Sequence, residues 1–161
     1  MRMTVPMEVG LAVRDLSRMR RFYEEALGFT FVSDIHVPAA KAAAAALCPE
    51  GYRVLRLQTS YGERIKLLAR DGAAPPAGPQ PDFILDQPGA TYLTFIMEAI
   101  PPVLQRALAA GGHSLTGNTP IEVRQGVHLA FLRDPEGHVL ELVSYDDIAA
   151  YRPDLLTEAE E

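Results

Sequence analysis

The sequence predicts an α+β fold of two tandem βαβββ modules. Three observations predict it: a strand, helix and three-strand pattern occurs twice, both occurrences keep one internal spacing, and a Pro-rich stretch separates them. With 161 residues, 48% of them hydrophobic, the chain is long enough for one compact domain or two small modules burying a shared core.

The first module opens with the strand-like segment Glu8 to Val13. Asp15 or Ser17 can cap a helix starting near Leu16, whose apolar residues Leu16, Met19, Tyr23 and Leu27 recur at helical spacing. Gly28 follows as a left-handed terminator. Three candidate strands come next, Phe29 to Ile35, Tyr52 to Thr59 and Arg64 to Ala69, the last two forming a hairpin turned at Tyr61-Gly62-Glu63. Ala39 to Leu47, nearly all alanine around Lys41, has helix propensity and reads as an insertion, either a lid over a pocket or a surface helix that lengthens a loop.

The second module repeats the order. Thr91 to Ile96 reads as a strand, and Ile100, Leu104 and Leu108 line one face of a helix whose first turn holds Pro101 and Pro102 and which Gly111 and Gly112 close. Strands are predicted around Ser114, over Val127 to Leu132 and over Val139 to Ser144, with Asp134-Pro135-Glu136-Gly137 turning the last hairpin. Glu8 stands 20 positions before Gly28 and Thr91 stands 20 before Gly111, while Lys66 and Glu141 each lie 4 past their turn glycines, Gly62 and Gly137. Neither half can cover its own sheet, so the modules pair their sheets within the chain or exchange them between chains. The boundaries read as module one 7–70, a linker 71–88 carrying Pro75, Pro76, Pro79 and Pro81, and module two 89–145. An acidic tail, 146–161, offers Ile148, Tyr151, Leu155 and Leu156 for docking on a neighbour.

Composition narrows the partner. A net charge of −6 and a pI near 5.2 oppose nucleic acid, which needs a clustered excess of Lys and Arg. The dense basic run Arg14, Arg18, Arg20 and Arg21 is interleaved with Met19 and Phe22 and reads as the solvated face of an amphipathic helix rather than an anion site. No apolar run approaches the ~20 residues that span a bilayer. The single Cys48 excludes an internal disulfide, and with no signal-peptide pattern a reducing cytoplasm is the expected compartment. A small organic molecule is the expected partner.

Leu11-Ala12-Val13-Arg14-Asp15-Leu16, followed by Phe22-Tyr23 and Leu27-Gly28, resembles the opening signature of vicinal-oxygen-chelate proteins, the glyoxalase, bleomycin-resistance and extradiol-dioxygenase superfamily. Phe131-Leu132-Arg133-Asp134-Pro135-Glu136-Gly137, running into Leu140-Glu141-Leu142, is similar to that superfamily's last hairpin. The resemblance covers roughly residues 7 to 145. It implies paired mixed sheets forming a cup, a homodimer, and a divalent metal held by residues of the first and last strands of each module. Those places carry Glu8, Lys66, Thr91 and Glu141 here. Glu8 and Glu141 match the family pattern, whereas Lys66 and Thr91 depart from it.

The resemblance leaves two accounts of the site open where Glu8 and Glu141 point into a pocket; where both face solvent, the constellation is surface charge. Glu8 and Glu141 are hard oxygen ligands for a divalent ion such as Mg, Mn, Fe, Ni or Zn, with His128 on the penultimate strand as a further ligand or an ordinary strand residue. Alternatively the Lys66 ammonium replaces the ion between the two carboxylates, Glu8 acts as a general base and Lys66 stabilises the resulting oxyanion. The catalytic candidates are Glu8, Lys66 and Glu141, and the substrate-contacting candidates are Thr91, Phe95 and His128. Leu68, Leu93, Phe95 and Leu132 line the pocket if they share the inward face, and are otherwise core.

The leading functional expectation is a glyoxalase-like isomerase, epimerase or lyase that abstracts a proton next to a carbonyl of a small oxygenated metabolite. The alternative is a non-catalytic protein that binds an antibiotic or metabolite, against which the absence of Trp and an aromatic content of 7% count, because planar ligands stack on rings. An extradiol-type dioxygenase comes third, since neither first-strand position carries histidine.

Overall fold

In the computed structural model, which describes residues 1–155, each half of the chain builds a mixed sheet of its own. The elements are β1 (Glu8–Ala12), α1 (Leu16–Leu27), β2 (Thr30–Val37), α2 (Ala39–Ala44), β3 (Tyr52–Gln58) and β4 (Arg64–Arg70) in the first half. The second half has β5 (Tyr92–Ile96), α3 (Ile100–Ala109), β6 (His113–Ser114), β7 (Ile121–Arg124), β8 (Val127–Arg133), β9 (Val139–Tyr145) and α4 (Ile148–Tyr151). The first sheet runs β1-β4-β3-β2 and the second β5-β9-β8-β6, with β7 also on β8. In each, the opening strand lies parallel to the closing one and every other pairing is antiparallel. The α+β architecture of two βαβββ modules with mixed sheets is thus the one expected.

Local chemistry fixes the two long helices, α1 and α3. Asp15, not Ser17, caps α1, its carboxylate accepting from the Arg18 N–H at 2.9 Å, and Gly28 closes the helix at φ 73°. Pro101 and Pro102 occupy the first turn of α3, where a missing N–H costs nothing. One strand was not foreseen. The single strand expected directly after the second helix is divided here into β6 and β7, both paired to β8, so together they take the place that β2 takes in the first sheet.

Strand alternation then sorts the side chains. Leu11, Ile65, Leu67, Leu55 and Leu57 of the first sheet and Leu132, Ala130, Leu140 and Leu142 of the second share one buried cluster with Met19, Phe22, Tyr23 and Ala26 of α1 and Leu104 and Ala107 of α3. The two helices pack on each other, and this common core joins the modules. The opposite, outer face of each sheet lies outside that core. Leu93, Phe95 and Leu132 belong to the core side, Phe95 meeting Phe29 edge-on at 5.9 Å, so among the four apolar candidates for the pocket only Leu68 is on an outer face.

After β9, Tyr151 stacks on Tyr145 at 4.0 Å, while Ile148 and Leu155 stay exposed. Leu156 and the rest of the tail to residue 161 lie outside the described residues. No helix among the described residues is long and apolar enough to cross a membrane.

Candidate functional site

The outer face of the first sheet floors a cavity of about 990 Å³, at the upper end of the size range for small-molecule sites. Gly10 and Ala12 of β1, Lys66, Leu68 and Arg70 of β4, and Tyr52, Val54 and Arg56 of β3 form the floor. Pairing sets their neighbours: Lys66 faces Gly10 on one side and Arg56 on the other, and Leu68 faces Ala12 and Val54. Gly10 keeps the space over β1 clear, because a Cβ there would stand 3.2 Å from the Leu68 side chain and 3.9 Å from Cε of Lys66. One wall is the loop after α2, with Leu47 and Cys48, so the alanine-rich insertion borders the cavity through its end rather than its helix. The segment 74–80 and the turn after β8 complete the walls.

The turn after β8 is built around a buried carboxylate. Asp134 is 1% exposed and accepts from the Tyr23 hydroxyl at 2.9 Å, from the His138 ring at 2.8 Å and from the backbone N–H groups of Glu136 and His138. Glu136 in turn holds the chain just before α1, accepting from the Arg14 and Asp15 N–H groups at 2.6 and 2.7 Å. Burial above all, then the charge and hydrogen bond of Asp134, push the Tyr23 hydroxyl well above its ordinary pKa, which keeps it a donor.

His138 lies between two acceptors, with Nδ1 2.8 Å from Asp134 and Nε2 3.0 Å from the Ala12 carbonyl. Burial opposes its charged form, but the Asp134 hydrogen bond and charge, the Ala12 carbonyl and the Glu136 charge outweigh it and raise its pKa. A raised pKa means that the folded state binds the proton more tightly, so the stabilisation is complete below the unfolded value of about 6.5 and is lost as pH rises through the folded value. Urea midpoints of the parent should fall across that interval. His138→Gln should remove this component of the fall, and an identical pH profile in the variant would refute the assignment.

The sequence candidates separate in space. Glu8 and Lys66 share the outer face of the first sheet, but Glu8 is engaged by Arg56 at 3.7 Å and Arg64 at 3.8 Å. Glu141 is on the outer face of the second sheet, accepting from the Thr94 hydroxyl at 2.6 Å, with Phe131 opposite it on β8. Thr91 precedes β5 and is exposed. Since Glu8 pairs with Arg64, two before Lys66, and Tyr92 pairs with Val139, two before Glu141, the second-module counterpart of Glu8 is Tyr92 rather than Thr91. His128 is in the row of Ala130 and Leu132, not that of Glu141, and its Nδ1 is 3.9 Å from Asp146. Phe95 is partly buried and packs against the core, not into the cavity. Among the described residues no group of three or more His, Cys, Asp or Glu is arranged to hold a metal. The first sheet's outer face does not suit a divalent cation either, because its carboxylate Glu8 is flanked by two arginines and the ligand place on β4 holds an ammonium.

Arg56, Arg70, Arg133 and Gly10 line the cavity without having been singled out from sequence. Arg14, assigned with its neighbours to a solvated helix face, also lines it, whereas Arg18 and Arg21 are exposed as expected and Arg20 is 4.3 Å from the Phe31 ring centroid. Arg56 was within reach, since a hairpin turned at Gly62 sets it opposite Lys66.

Two βαβββ modules sharing a core to which both long helices contribute, with a cavity of small-molecule size on one sheet, define the class of protein. The chain belongs to the Glyoxalase/Bleomycin resistance protein/Dioxygenase superfamily, whose sequence profile matches residues 7–142. No curated protein matches the sequence. Among solved structures, a glyoxalase family protein from Bacillus cereus superposes with a TM-score of 0.73 at 17% identity, over 89% of this chain and 95% of the other. A glyoxylase/bleomycin resistance protein/dioxygenase domain from Frankia sp. gives 0.64 at 20% identity, over 89% and 93% of the chains. A glyoxalase I mutant from Zea mays gives 0.61 at 19%, over 84% of this chain and 43% of that one. At these identities the likeness is one of fold.

Proposed function

We propose that the protein is a glyoxalase-like enzyme that isomerises, epimerises or eliminates from a small oxygenated molecule bound over the first sheet. The observation that carries this is Lys66, an ammonium on the cavity floor that has no ion-pair or hydrogen-bond partner among the described residues. A carboxylate takes a proton from the carbon next to a carbonyl, the electron pair moves onto the carbonyl oxygen, and Lys66 stabilises the oxyanion until the proton returns or a leaving group departs. Glu8, outside the cavity lining but 3.7 Å from its residue Arg56 and on the same sheet face as Lys66, is the proton acceptor of this scheme.

Glu141 enters the same site if the enzyme works as a homodimer in which the outer face of the second sheet covers the cavity of another copy. Supporting this, that face exposes Tyr92, Ile96 and Ile121, and Tyr92 meets Phe131 edge-on at 5.2 Å. Such an apolar patch calls for a cover, and an isologous contact is the commonest one.

A second reading, a protein that binds a metabolite without changing it, draws on one observation: Glu136, the carboxylate of the cavity wall, is already committed to two backbone N–H groups. Turnover separates the two. Against a panel of small hydroxy and oxo compounds the parent should turn over at least one, and Lys66→Met should lower kcat about a hundredfold, the loss typical of a removed oxyanion donor. Stoichiometric binding with no turnover would establish the binding reading instead. Light scattering should give twice 17.6 kDa, and a fully active monomer would remove Glu141 from the site.

A further inference from the structure

We propose that the cavity takes its ligand through an anionic oxygen group, a carboxylate or a phosphate, held on the floor by Lys66 and Arg56 and facing Arg133 on the wall. This deepens the reading above and rests on the same cavity. The chain as a whole carries 21 acids against 15 Lys and Arg, yet this cavity is lined by five cations, Arg14, Arg56, Lys66, Arg70 and Arg133, and one carboxylate, Glu136. Three of the five have a carboxylate partner: Arg14 has Glu136 at 4.0 Å, Arg56 has Glu8 at 3.7 Å, and Arg70 has Glu50. Lys66 and Arg133 have none among the described residues.

The positions of these groups make the excess specific. Lys66 and Arg56 are direct partners on neighbouring antiparallel strands, an arrangement in which like charges repel unless something negative stands over them. Arg133 is 9% exposed, and its guanidinium is held by the Gly137 and Pro81 carbonyls, which satisfy two donors without neutralising the charge. Nε of Arg70 is buried and has no hydrogen-bond partner. A carboxylate or phosphate supplies charge and several acceptor oxygens at once, and planar guanidinium groups match both shapes. Gly10 leaves the approach to Lys66 open from the side away from Arg56.

The full chain titrated at low ionic strength tests this by calorimetry, with inorganic phosphate and oxalate as probes, oxamide as the neutral counterpart of oxalate, and chloride at matched ionic strength. At least one of phosphate and oxalate should bind saturably, and which one does identifies the anionic group. Lys66→Met should weaken that binding at least tenfold while melting no lower than the parent, since Lys66 makes no ion pair to lose. Arg21→Gln, on the exposed face of α1, should leave binding unchanged. Absence of saturable binding, equal binding of oxamide, or undiminished binding by Lys66→Met would each overturn the proposal; the charge on Lys66 would then be met by protein, as by Glu141 of a second copy. Anion binding without turnover of any compound would sink the catalytic reading and leave this one standing. Turnover of neutral compounds untouched by phosphate and oxalate would do the reverse.

Discussion

Asp134→Ala should destabilise the protein by about 3–5 kcal/mol, the cost of breaking a buried charged network from one side. The carboxylate is 1% exposed, and four donors converge on it: the Tyr23 hydroxyl, the His138 ring and the N–H groups of Glu136 and His138. Removing it leaves an inward-facing hydroxyl without an acceptor and His138 without its counter-charge. It also frees the turn that carries Glu136, so the first N–H groups near α1 lose their acceptor as well. Asp134→Asn keeps an acceptor and most of the shape, and should cost clearly less. Urea denaturation of the three proteins measures the difference, and a loss below about 1 kcal/mol for the alanine variant would mean that the network is ornamental.

Phe22→Ala should cost a similar amount, about 3–5 kcal/mol, for a different reason. Phe22 is 1% exposed in the cluster to which both sheets and both helices contribute, and it meets Tyr23 edge-on at 5.3 Å. A cavity there weakens the one body of apolar contact that joins the modules. Both should therefore unfold in a single transition at a lower denaturant concentration, with hydrogen exchange in β4 and β9 accelerated together. Two resolved transitions, or exchange faster in one module alone, would contradict a common core.

The same core explains what could be read from the sequence and what could not. Period and punctuation are local, so α1 between Asp15 and Gly28, the proline start of α3 and the two final hairpins were legible. Counting back from glycine failed by one residue in the second module. Gly28 directly follows the last residue of α1, whereas Ala110 intervenes between α3 and Gly111, which moved the first-strand position to Thr91 in place of Tyr92. Facing was the harder matter: Phe95 and His128 lie in plausible strands, and only the contacts of those strands with the rest of the molecule tell which side meets the helices. Lys66 was legible as a departure from a family pattern, and Arg56 follows from hairpin register. Arg133 was not, because its surroundings depend on the Pro81 carbonyl, which lies 52 positions away along the chain.

The turn around Asp134 also orders events in time. Its bonds to the start of the chain span 122 positions from Arg14 to Glu136 and 126 from Ala12 to His138. Contacts of such separation close large loops and form late. During synthesis the first sheet and its helix are made long before residues 134–138 emerge, so the border of the cavity next to β1 and α1 cannot be finished until nearly all of the fold has been translated. The last hairpin supplies Leu140 and Leu142 of the common core as well as this border, so a chain stalled before it would lack both the packing under the first sheet and one wall of the cavity.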